Sequence, residues 1–191
     1  MDKENKLIEL HPGDLFVTRN PHMLSRAINV VQWWWSKDGE STYSHAGIIL
    51  DAQGTTFEAL YTLKKQNLFE AYTGEKVCIA RWLNMTDETA KQALDVLLKE
   101  QEGHIYPAWR LFFHLVPPIA KYVSWGGKFI VCSEVVAKFL YLVYLQTGSE
   151  DKYGSKWPRH SHYCGATPDD LSDEWHRWQG YSIIFEDVLP S

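Results

Sequence analysis

The segment Cys132 to Gln146, CSEVVAKFLYLVYLQ, constrains this chain more than any other stretch. At helical spacing its apolar side chains fall on nearly all faces, so it does not fit a surface helix with a single buried stripe. It has to be covered on all sides. The wider apolar run from Phe129 to Leu145 includes Ser133, Glu134 and Lys138, and is too short and too polar to cross a bilayer. The sequence therefore asks for a central helix wrapped by the rest of the protein. With 191 residues the chain is long enough for one sizeable core and too short for two, so residues 1–191 are expected to form a single domain.

The covering elements are short. Strand formers occur at Asp14 to Arg19, Ser44 to Leu50, Thr55 to Leu60, Lys76 to Trp82 and Ser182 to Phe185. Apolar spacing predicts helices over Pro21 to Trp35 and over Thr86 to Gln101, the latter capped by Thr86 and buried through Ala90, Ala93, Leu94, Leu97 and Leu98. Thr167-Pro168-Asp169-Asp170 is a helix start, with a capping threonine, proline at the first position and acids in the first turn. Strands and helices do not alternate as βαβ units, so the fold class is α+β with short antiparallel strands.

Chemistry concentrates at three residues. Cys132 opens the central helix, where the helix dipole favours a thiolate and free backbone N–H groups can hold an oxyanion. The same position also suits a small buried hydrophobe. His45 lies at the start of the Ser44–Leu50 strand. If residues 51–54 form a two- or four-residue turn, Leu50 pairs with Thr55 and Gly47 with Glu58. His45, Gly47 and Glu58 then share one face, with Glu58 diagonal to His45 at roughly 7–8 Å along the backbone. A three-residue loop would reverse the parity. Gly47 leaves room between the two side chains. Cys132, His45 and Glu58 thus supply a nucleophile, a base and a residue to orient the base. A working pair would place the Cys132 sulfur roughly 3–4.5 Å from an imidazole nitrogen, with the thiol partly exposed in a cleft. Glu134 is expected to pair with Lys138 one helical turn on.

The fragments Pro12-Gly13-Asp14-Leu15-Phe16, Ser44-His45-Ala46-Gly47-Ile48-Ile49, Phe57-Glu58-Ala59 and Cys132-Ser133-Glu134-Val135-Val136, in this order, resemble the permuted branch of the NlpC-type papain-like cysteine hydrolases, and within it the YiiX-like proteins. The order His, Glu, Cys is the papain order circularly permuted. Thr167-Pro168-Asp169-Asp170-Leu171 resembles the C-terminal end of the same group. The resemblance implies a permuted papain-like core, an antiparallel sheet packed on a central Cys-bearing helix. It also implies an amidase or peptidase that forms an acyl-enzyme without a cofactor, acting on a small peptide or a cell-wall peptide. Tyr106-Pro107 departs from the Tyr-Asp pair common in that group, and Val131-Cys132-Ser133-Glu134 departs from the Asn-Cys-Glu-His of lecithin–retinol acyltransferase-like proteins. A lipid esterase or acyltransferase with an acyl or lipid substrate is the alternative, favoured by Leu111 to Val116 and by the tryptophans. A non-catalytic binding protein on the same fold is the third.

Other features narrow the field. A formal net charge of −5 and a pI near 5.9 argue against nucleic-acid binding. Three cysteines are not a disulfide framework and fit a reducing compartment. The charged start MDKENKLIELHPGD carries no secretory leader, and a cytoplasmic location is expected. Trp33-Trp34-Trp35 cannot all face one core, which leaves at least one indole for loop packing or for peripheral membrane contact. His160, His162 and Cys164 alternate as metal ligands would, but their spacing matches no common zinc pattern, and they are expected to line the cleft or the surface.

Overall fold

The computed structural model describes residues 8–19, 42–59, 63–101, 132–147 and 167–190. The expectations for the 21–35 helix, Trp33 to Trp35, Tyr106, residues 111–116, and His160, His162 and Cys164 lie outside these residues.

The described residues form an α+β fold. Six strands, β1 (Leu15–Thr18), β2 (His45–Ile49), β3 (Thr55–Ala59), β4 (Leu63–Asn67), β5 (Lys76–Trp82) and β6 (Tyr181–Val188), make one sheet in the order β4-β3-β2-β1-β5-β6. Every pairing is antiparallel. The helices are the short α1 (Leu68–Ala71), then α2 (Asp87–Gln101), α3 (Cys132–Thr147) and α4 (Pro168–Arg177).

Turn chemistry fixes the register. Asp51 accepts from the backbone N–H groups of Gln53 and Thr55 at 3.0 Å each, and Gly54 takes a left-handed φ of +81°. Leu50 N–H bonds to Thr55 O at 2.7 Å, which closes the four-residue loop and sets Gly47 opposite Glu58. On the first strand, Asp14 is fully buried and takes Arg81 as a two-pronged partner, Nε to Oδ1 at 2.7 Å and Nη2 to Oδ2 at 2.8 Å. That ties the start of β1 to β5.

The sheet carries a core on each face. On one, Val17, Ala46, Ile48, Phe57 and Ala80 pack with Val135, Val136, Phe139 and Leu140 of α3 and with Ala90, Ala93 and Leu97 of α2. Nine residues of α3 are buried, from Cys132 to Val143, as a central helix requires. On the other, Phe16, Ile49, Val77 and Ile79 pack with Leu10, Leu68, Tyr72 and Leu189. Helix α2 is capped by reciprocal bonds between Thr86 and Thr89, and α4 by a capping box of Thr167 and Asp170.

One expected contact differs. Lys138 reaches out from α3 to Glu100 of α2 at 2.6 Å, while Glu134 is buried at 3% exposure. The first turn of α3 is sunk in the core, so the two side chains point to different surroundings.

Candidate active site

His45 is the first residue of β2, and the backbone leading into it is held by β1 and by α4. It pairs with Thr18 of β1, and the preceding Ser44 donates its N–H to Thr18 O at 3.1 Å. Upstream, Asp169 in the first turn of α4 accepts from the N–H of Thr42 at 3.1 Å. The imidazole is buried, edge-on to Phe16 and beside the ring of Tyr72.

The parity argument from sequence holds at this place. Glu58 Oε2 lies 2.6 Å from His45 Nε2. A carboxylate accepts, so Nε2 carries the proton and Nδ1 is left for a second partner. Cys132 is the other group that acts on the imidazole, and it favours the protonated ring. Gly47 is what lets the pair approach: a Cβ there would stand 2.6 Å from Phe16 Cε1 and 2.9 Å from Glu58 Cγ. Cys132 is the first residue of α3, at the end where backbone N–H groups have no intrahelical acceptor. The thiol is less open than the sequence led one to expect, since Cys132 keeps 7% of its surface.

Glu58 is fully buried and takes three donors besides His45. Tyr72 OH donates to Oε2, and Thr56 Oγ1 and Gln66 Nε2 donate to Oε1, the last at 3.0 Å. Gln66 also donates to Tyr72 OH at 3.2 Å. Sequence reasoning missed all three. Thr56 was within reach, since it stands two residues before Glu58 on the same strand face. Gln66 and Tyr72 come from β4 and the turn after α1, where the polar run LKKQN gives little strand signal.

The electrostatics follow from these contacts. Burial alone would lower the His45 pKa. The influence of Cys132 and the bond and charge of Glu58 reverse this and push it up to about 10. Burial alone would raise the Glu58 pKa, but the bond and charge of His45, with the hydroxyls of Thr56 and Tyr72, hold it below the usual glutamate value. At neutral pH the buried pair is a carboxylate and an imidazolium. An imidazolium beside a cysteine sulfur is the setting in which thiolate nucleophiles occur.

Cys78 is a different kind of thiol. It is fully buried in β5, and burial followed by the charge of Glu186 pushes its pKa up to about 12. With His176 and Glu186 it makes up, among the described residues, one group whose donor atoms stand close enough to hold a metal ion, all within 4.8 Å of one another. No local pattern announces it, because the three residues come from β5, α4 and β6.

Among solved structures the chain is similar to the metalloprotein YiiX of Escherichia coli O157:H7, with a TM-score of 0.59 and 19% identity over 94% of this chain and 98% of that one. The likeness is one of fold and agrees with the YiiX-like branch expected from the sequence. No family model matches the chain, and no curated protein matches it.

Proposed function

We propose that the protein is a thiol hydrolase of the amidase or peptidase kind, built on a permuted papain-like core of the NlpC type. The observation that carries this reading is the buried His45–Glu58 pair, Nε2 to Oε2 at 2.6 Å, with its imidazole under the influence of a cysteine at a helix N-terminus. Cys132 attacks the substrate carbonyl as a thiolate. The tetrahedral oxyanion is held by N–H groups at the start of α3, that of Cys132 included. As the carbon–nitrogen bond breaks, His45 gives its Nδ1 proton to the departing amine. Water then enters, His45 takes one of its protons, the thioester is cleaved to the acid, and the thiol is restored. Glu58 holds the imidazole in the required tautomer throughout. The substrate class is a small peptide or another unactivated amide. The features favouring an esterase or acyltransferase, at residues 33–35 and 111–116, lie outside the described residues.

Intact-mass analysis after incubation with a panel of peptide amides and matched esters tests it. The expected outcome is release of amine together with a transient acyl adduct that maps to Cys132 and is lost in Cys132→Ala. Adducts that form from esters alone would move the activity to the acyltransferase class. Turnover that persists in Cys132→Ala would remove the cysteine route.

A further inference from the structure

We infer that Cys78, His176 and Glu186 form a second site, one that binds a divalent transition-metal cation of the zinc type. The donors come from three elements on the helix-covered face of the sheet. Cys78 and Glu186 are direct cross-strand partners on β5 and β6, and His176 comes down from α4. Their ligating atoms all fall within 4.8 Å of one another. Tetrahedral zinc with such ligands sets donors roughly 3.3–3.8 Å apart, so from separations of no more than 4.8 Å the sulfur has to close in by at most about 1.5 Å, and the His176–Glu186 contact of 2.9 Å has to open slightly. A thiolate, an imidazole and one carboxylate suit zinc or cobalt and not the hard cations, which ask for oxygen alone.

The surroundings are those of a built site. His176 Nδ1 lies 2.8 Å from Ser172 O, and a carbonyl only accepts, so that nitrogen donates and Nε2 is the one turned to the cluster. Metal-binding histidines are oriented in this way. Glu186 presents Oε2 to His176, while its other oxygen, Oε1, accepts from Tyr43 OH at 2.9 Å and has Lys76 Nζ at 3.3 Å. Lys76 is the cation that faces the site, and it approaches the oxygen turned away from His176. The sulfur is closed to solvent, whereas the His176 and Glu186 side chains keep 42% and 30% of their surface, which leaves a fourth position for water. Binding replaces the proton on Cys78 sulfur and the one shared between His176 Nε2 and Glu186, so one cation enters as two protons leave. The cation would cross-link β5, β6 and α4, and Tyr43 carries that brace to a point two residues before His45.

Cobalt(II) titration of the full chain tests this, in a Cys132→Ala background so that the reactive thiol takes no part. The expected result is a near-ultraviolet thiolate-to-cobalt band with intense visible bands of tetrahedral cobalt, displaced by zinc. Cys78→Ser should remove the near-ultraviolet band. His176→Ala, at a half-exposed position, should weaken cobalt binding by at least about 100-fold, and Tyr43→Phe by about tenfold, as losses of outer partners do. No thiolate band in the parent, or the same band in Cys78→Ser, would overturn the assignment. Should Cys78→Ser fail to fold, undiminished cobalt binding in His176→Ala would overturn it equally.

Discussion

Glu58 concentrates the physics of the site in one carboxylate. A fully buried charge is tolerated only when its lone pairs are filled, and here four donors converge on two oxygens. Tyr72 and His45 share Oε2, so the tyrosine acts on the imidazole through the carboxylate and is a positioning residue. Tyr72→Phe keeps the ring against Phe16 and removes only the hydroxyl. It should cost about 2 kcal/mol in urea denaturation, the usual worth of a hydrogen bond to a charged group, and it should lower kcat with little change in KM. Unchanged stability and unchanged kcat would show that the hydroxyl does nothing for Glu58. The residue scale is also where the sequence was most legible. Gly47 opposite Glu58 followed from strand parity and a four-residue turn. What lay hidden was the packing of distant segments: nothing local to Tyr72 or Gln66 says that they end on the same carboxylate.

Elements were legible in proportion to how local their causes are. The starts of α2 and α4 follow from caps written into Thr86 and into Thr167-Pro168-Asp169-Asp170, and the β2–β3 hairpin from Asp51 and Gly54. The strand β4 escaped because an edge strand is stabilised by one neighbour and carries exposed charges, as at Lys64 and Lys65. The last strand extends from Tyr181 to Val188, well past the apolar residues that announced it, because pairing with β5 continues through its polar end. Glu134 shows the converse. Spacing alone offered Lys138 as its partner, but tertiary packing gave Lys138 to Glu100. The N-terminus of α4 does double duty. Asp169 holds the N–H of Thr42 three residues before His45, so this helix positions the base without touching it.

For the whole molecule, the buried pair makes stability depend on pH in a definite direction. The His45 pKa is raised from 6.5 to about 10, so its contribution is fully present below pH 6.5 and is lost as pH rises through about 10. The Glu58 pKa is lowered from 4.5, so its contribution is present above that value and is lost as pH falls through the depressed one. Urea midpoints of the wild type should therefore be highest between about pH 5 and 6.5 and decline toward pH 10. The alkaline decline should flatten in His45→Gln, where no imidazolium is lost. An equally steep decline in that variant would place its source in other groups. No helix among the described residues is long and apolar enough to cross a membrane.

The central claim is that His45 activates Cys132, and alkylation by iodoacetamide, mapped to each cysteine by mass spectrometry, tests it most directly. At neutral pH Cys132 should react well before Cys78, which is closed to solvent and whose thiol holds its proton up to about pH 12. His45→Ala should slow Cys132 at least tenfold, since the imidazole is the base that activates the thiol, and Glu58→Gln should slow it less. Equal rates at Cys132 in the wild type and in His45→Ala would contradict the account.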